Sequence, residues 1–148
     1  MSLLKYFKKR NLKKSGEPIS KIKKIKEKIF VIQKHHASHL HWDLRLEING
    51  VLKSWAVPKS PPLAKGTKRL AIQVEDHPIE YANFEGIIPE GNYGAGKVEI
   101  WDKGTYELIK QTSKEIEIKI NGKKLKGNYI LIKTNYQGNK KSWLFFRI

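Results

Sequence analysis

The chain contains no cysteine, which excludes a disulfide framework, thiol catalysis and any thiolate metal site. Any metal must therefore be held by His, Asp or Glu. Acidic residues are scarce: 14 Asp and Glu stand against 30 Lys and Arg, a formal charge of +16. No run approaches the roughly 18 apolar residues of a membrane span. The opening MSLLKYFKKRNLKK has no apolar h-region and no small-residue cleavage site, so no secretory signal is read there. The expectation is a cytoplasmic protein with no membrane partner. What is present suits a globular fold. Hydrophobic residues are 39% of 148, with four Trp, six Tyr and five Phe. That is too apolar for a disordered chain and long enough for one domain with one core.

The charge excess is uneven. Residues 1–34 carry a net +10 and the remainder a net +6. Residues 1–19, with Gly16 and Pro18, read as a basic arm, and 20–148 as a single mildly basic body. Both favour a polyanion through counterion release, so nucleic acid is the expected partner of a monomeric protein. Ser20 suits an N-cap for a short helix over 20–28.

From Phe30 onward the pattern is almost entirely β. FVIQKH reads as a strand. HWDLRLEI, Asn49-Gly50 and VLKSWAVP read as a hairpin, because Asn-Gly fits a type I′ turn. KSPPLAKGT is a loop and RLAIQVED a strand. Residues 77–95, rich in Pro and Gly, read as a long irregular loop of the kind that is often functional. GKVEIWDKGTYELI reads as a second hairpin turning at Asp102-Lys103-Gly104. EIEIKI, Asn121-Gly122 and KKLKGNYILIK read as a third, and WLFFRI closes the chain. The fold class is all-β, a compact small barrel or sandwich.

The densest polar cluster is QKHHASHLHWDLRLE, residues 33–47. In a strand, alternate side chains share a face. His41, Asp43, Arg45 and Glu47 line one face, and Trp42, Leu44, Leu46 and Ile48 supply core from the other. Imidazole beside carboxylate is a common ligand pair for a divalent cation. His35 precedes His41 by six residues, so a loop between them can bring both rings to one point with Asp43. Such a two-His, one-carboxylate site suits manganese, iron or zinc. The plainer alternative is a set of satisfied surface histidines. His36 and His39 read as loop or surface residues. A second cluster runs from Arg69 through Glu75, Asp76 and His77 to Tyr81. His77, held extended before Pro78, suits a proton or hydrogen-bond donor to phosphoryl charge, or a plain loop histidine. PEGNYGAGK lacks the P-loop spacing, and its glycines read as turn formers.

These blocks resemble the 3′-phosphoesterase domain of DNA ligase D, here as a stand-alone chain. FVIQKHHASHLHWDLRLE is similar to the family's H-x5-H-x-D-x-R signature. SWAVPKSPP, RLAIQVEDHPIEYANFEGIIPEGNYGAGKVEIWDKGTYE and WLFFRI match further blocks in the same order. The resemblance implies a small β-barrel and a manganese-dependent activity at DNA 3′ ends, with other divalent transition metals as alternatives. That activity removes a 3′-terminal ribonucleoside and then the 3′-phosphate, leaving a 3′-hydroxyl. By position, His35, His41 and Asp43 would bind the metal. Arg45 and Arg69 would grip the phosphate, His77 would coordinate or protonate it, Tyr81 would support the site, and Lys59 sits where a lysine recurs in the family. No ligase or polymerase segment accompanies these blocks, so such a partner would be encoded separately. The alternative from a different class is a non-catalytic basic β-barrel that binds nucleic acid. Against it, the strand face carries His41, Asp43 and Arg45 where a stacking platform would carry aromatics.

Overall fold

The computed structural model describes residues 27–148. The basic arm and nearly all of the helix expected over 20–28 lie outside them. Glu27 and Lys28, placed at the end of that helix, instead open the first strand.

Nine strands are described: β1 Glu27–His36, β2 Leu40–Ile48, β3 Val51–Val57, β4 Lys68–His77, β5 Gly86–Ile88, β6 Gly96–Gln111, β7 Glu115–Asn121, β8 Lys126–Lys133 and β9 Ser142–Arg147. They join in the order β1-β2-β3-β4-β9-β8-β7-β6, and β1 pairs back onto β6. Every pairing between these strands is antiparallel. The result is a closed eight-stranded barrel with β5 added on the outer flank of β6. Closure removes the edges that a sheet of this size would otherwise expose.

The β2–β3 turn follows from its sequence. Asn49 and Gly50 both take positive φ, 50° and 86°, as a type I′ turn requires. That turn sets Arg45 opposite Ser54 and Leu44 opposite Trp55. Inward residues of β1, β2, β3, β7, β8 and β9 then fill the barrel. Leu44, Leu46, Trp55, Ile118, Tyr129 and Phe145 are completely buried there.

The expected hairpin at Asp102-Lys103-Gly104 does not form, because β6 runs unbroken from Gly96 to Gln111. Its turn-like residues serve another strand pair. The buried Asp102 carboxylate accepts the backbone N–H groups of Lys123, Lys124 and Leu125 at 2.8, 3.1 and 2.8 Å. It thereby caps the β7–β8 turn. Gly104 passes the Asn121 carbonyl so closely that a Cβ would lie 2.3 Å from that oxygen. The segment 77–95 is also more ordered than its Pro/Gly content suggests. It contains a 3-10 helix over Ile79–Asn83 and the strand β5. Ala82, Ile79 and Tyr81 dock this segment on Val31 and Leu52, on the outside of the barrel.

Candidate metal and phosphoryl site

The outward faces of β1 and β2 meet in register. His35 lies opposite His41, Gln33 opposite Asp43 and Val31 opposite Arg45. A three-residue turn, Ala37-Ser38-His39, makes the pairing of the two histidines possible. Residues 78–95 cover this polar row. Asp43, His35 and Arg45 are therefore only 6%, 7% and 4% exposed, on a strand face that would otherwise meet solvent. A cleft of about 360 Å³ remains, with His35, His41, Asp43, Arg45, His77 and Tyr81 in its lining.

Each histidine has one ring nitrogen already engaged. His35 Nε2 donates to the Gly94 carbonyl at 2.8 Å, leaving the Nδ1 lone pair 3.6 Å from Asp43 Oδ2. His41 Nδ1 donates to the His39 carbonyl at 3.2 Å, leaving Nε2 3.2 Å from the same carboxylate. One ligand atom from each of the three residues falls within 4.8 Å of the others. Two imidazole lone pairs and a carboxylate aimed at one point fit a divalent transition metal. The carbonyl behind each ring fixes tautomer and orientation, as around metal-bound histidines generally. The Asp43 hydrogen bond raises the His41 pKa above the ordinary imidazole value, against the lowering effect of burial.

Arg45 is held on three sides. Nε donates to Gln33 Oε1 at 2.6 Å, Nη1 donates to Ser54 Oγ at 2.8 Å, and Nη2 lies 3.5 Å from Asp43. The guanidinium carbon sits 4.9 Å over the Tyr81 ring. Tyr81 in turn stacks on Phe84 at 5.0 Å. Burial lowers the Arg45 pKa and Asp43 opposes that effect, so the cation stays charged. His77 Nδ1 lies 3.1 Å from Arg45 Nη1 and 3.0 Å from the Glu75 carbonyl oxygen, a donor and an acceptor that select opposite tautomers of the ring. Burial, then the Arg45 charge, push the His77 pKa below the ordinary value. Burial pushes the Tyr81 phenol up.

A family model described as the DNA Ligase D 3′-phosphoesterase domain matches residues 33–133. The chain belongs to that family. It is 44% identical to the multifunctional non-homologous end joining protein LigD of Pseudomonas aeruginosa, over 98% of this chain and 18% of that protein. It is 47% identical to the multifunctional non-homologous end joining DNA repair protein LigD of Mycobacterium tuberculosis, over 99% of this chain and 20% of that protein. The chain thus spans about a fifth of the length of the curated relatives it matches.

Within this phosphoesterase domain, six of the eight site residues expected from sequence converge on the cleft. Arg69 and Lys59 do not line it. Arg69 shares the β4 face of the core residue Ala71, and its Nε donates to the Ser60 carbonyl at 2.7 Å. Lys59 is exposed in the loop after β3. His36 and His39 are exposed as expected, although the His39 carbonyl orients His41. Glu47 leaves the cleft to accept the Ile29 N–H at 3.0 Å. Sequence reasoning overlooked Gln33 and Ser54, the two neutral groups that clamp Arg45. The signal for both was available. Gln33 shares the strand face of His35, and the Asn-Gly turn sets Ser54 opposite Arg45.

Proposed function

We propose that the protein is a metal-dependent DNA-repair phosphoesterase acting at nucleic-acid 3′ ends. In this reading it removes a 3′-terminal ribonucleoside and then the 3′-phosphate, leaving a 3′-hydroxyl. The observation that carries the reading is the convergence of His35, His41 and Asp43 beside a buried, clamped arginine, in a chain of the 3′-phosphoesterase family. Manganese is the proposed resident ion, held by those three side chains. When bound, such a metal acts as a Lewis acid on a phosphoryl oxygen and lowers the pKa of water.

The remaining work falls to the chain's own groups. Arg45 has Nε and Nη1 occupied by Gln33 and Ser54, so its orientation is set before substrate arrives. Its charge offsets that of the phosphoryl oxygens from a position that is itself only 4% exposed. His77 is neutral at neutral pH. In the tautomer whose Nδ1 accepts from Arg45, His77 Nε2 carries the hydrogen and donates it to a phosphoryl oxygen. Tyr81 supports the Arg45 face. Arg69 and Lys59 are assigned to the polynucleotide that flanks the scissile phosphate, together with the basic arm. Such contacts hold the strand without reading bases. A cytoplasmic site of action, with a ligase or polymerase using the healed end, fits this role.

Three end-labelled primer-templates test the reading: one with a 3′-phosphate, one with a single 3′-terminal ribonucleotide, and one all-deoxy with a 3′-hydroxyl. With manganese, the first is dephosphorylated and the second trimmed. The third stays intact, because a 2′-hydroxyl is the donor and acceptor that positions the diester. Chelation with EDTA abolishes both reactions. Binding to all three primers with no turnover would instead establish the non-catalytic module, and processive loss of the all-deoxy primer would establish a general exonuclease.

A further inference from the structure

Tyr93 is 86% exposed, the most exposed large hydrophobic side chain among the described residues. It is also part of the cleft lining, with Ile88 and Gly94. Both facts follow from one turn. The Ala95 N–H donates to the Asn92 carbonyl at 3.1 Å, with Tyr93 and Gly94 as the central residues. Gly94 takes φ +76°, as the third residue of a type II turn does. The Gly94 carbonyl is the acceptor that orients His35. A single turn thus holds one metal-binding imidazole and, one residue away, carries an uncovered phenol ring at the rim.

Tyr81, the other tyrosine of the cleft, has no free face to offer. It stacks on Phe84 and lies under Arg45. Tyr93 brings neither charge for a phosphate nor apolar area to the core. A flat ring carried by this turn beside a phosphoryl site suits a flat apolar partner, and the nucleoside attached to the phosphate supplies one in its base. The cleft, at about 360 Å³, is near the lower end of the roughly 300–1,000 Å³ of small-ligand pockets. It accommodates a terminal group, not a duplex.

We propose that Tyr93 is the stacking platform for the nucleobase of the 3′-terminal nucleoside. It makes the site prefer ends that carry a base while leaving base identity unread. This rests on the 3′-end reading above and extends it to a substrate-positioning residue. Stacking of a base on an aromatic side chain is worth about 1–3 kcal/mol, or about five- to a hundredfold in affinity.

The test compares a 3′-phosphate primer whose terminal nucleoside carries adenine with one whose terminal nucleoside is an abasic tetrahydrofuran. The wild-type KM is expected to be about five- to a hundredfold lower for the adenine end. Tyr93→Ala brings the KM ratio toward one, and Tyr93→Phe, which keeps the π face, preserves it. A separate binding measurement in EDTA uses 2-aminopurine as the terminal base. Its fluorescence is quenched on binding wild type and Tyr93→Phe but not Tyr93→Ala. Equal losses on adenine and abasic ends in Tyr93→Ala would overturn the platform and leave only a structural role for the turn. Wild-type KM values on both ends in that variant would overturn it outright. If wild type hydrolyses neither end, the 3′-end reading fails, and the fluorescence measurement still decides whether Tyr93 stacks a base.

Discussion

Arg45 and Gln33 are joined by a 2.6 Å hydrogen bond from the guanidinium Nε to the amide Oε1. The amide nitrogen of Gln33 then donates to the carbonyls of Tyr81 and Phe84 at 2.8 and 3.2 Å. One neutral, completely buried side chain therefore ties the arginine of β2 to the middle and the C-cap of the helical segment over the cleft. Gln33→Leu should leave a buried guanidinium donor and the Phe84 carbonyl without the amide partner, and the Tyr81 carbonyl with the Phe84 N–H alone. The expected loss is about 2–3 kcal/mol of stability, since one such orphaned group costs about 1–3 kcal/mol. It should also lower kcat on a 3′-phosphate primer, because Arg45 is no longer aimed. Urea unfolding and saturating kinetics measure the two effects. Wild-type values in both would show that the clamp carries no energy.

Asp43 belongs to the cleft and not to the core, since its β2 neighbours Trp42 and Leu44 face inward. Asp43→Ala should keep the barrel and lose the metal. The expected drop in manganese affinity is about a hundredfold or more, because even outer-shell partners of a metal site cost about 10–100-fold. Calorimetric titration with manganese, beside a circular dichroism melt, separates affinity from folding. Undiminished manganese binding in a folded variant would remove Asp43 from the ligand set.

Two of the three cleft histidines, His41 and His77, should titrate in opposite directions from their ordinary value. NMR of the protein in EDTA is expected to give His41 a midpoint above 6.5 and His77 one below it. The signs for stability differ accordingly. His41, raised by Asp43, stabilises the fold below about pH 6.5, and that contribution is lost as pH rises through its folded value. His77, lowered by burial and Arg45, contributes above about pH 6.5, and its contribution is lost as pH falls through its folded value. Asp43→Asn should bring the His41 midpoint down, since burial still acts and the carboxylate does not. Two coincident midpoints would contradict these environments.

Asp102 offers a control far from the chemistry. Its carboxylate accepts four backbone N–H groups, those of Lys103, Lys123, Lys124 and Leu125. Asp102→Ala should cost about 3 kcal/mol or more, because several donors lose their partner at once. Asp102→Asn, which keeps acceptor oxygen, should cost less. Activity per folded molecule should be retained in both. A melting temperature within a degree of wild type for the alanine variant would refute the capping role.

The contrast between β2 and β6 explains what could be read in advance. In β2, both faces obey the two-residue period, so Leu44 and Leu46 and the opposing Asp43 and Arg45 separate without knowledge of any partner strand. The β2–β3 register was equally accessible, because Asn49 and Gly50 specify the turn geometry locally. In β6, Asp102 and Gly104 look like a turn because Asp and Gly are turn residues. Their actual requirements come from residues 121–125, which only the tertiary fold brings near. Arg69 failed to reach the cleft for a related reason. Its strand was legible, but which face of that strand meets the core depends on pairing with β9, where Ala71 lies opposite Trp143. The three residues of β5 are too few for alternation to register, and their pairing with Gly96–Val98 is decided by the fold around them.

Barrel closure joins the two strands most distant along this loop of pairings, with Glu27 opposite Glu107 and Phe30 opposite Gly104. During synthesis β1 and β2 are available early, yet the free side of β1 has no partner until β6 has been made. Topologies dominated by such distant pairings fold slowly, in about milliseconds to seconds. For that interval the strand that carries His35 is an open edge, able to recruit a foreign strand. Lys28 and Lys34 lie along it, and lysines on an exposed edge discourage such recruitment. The same bias toward lysine that suits a polyanionic substrate thus also protects the nascent chain from aggregation.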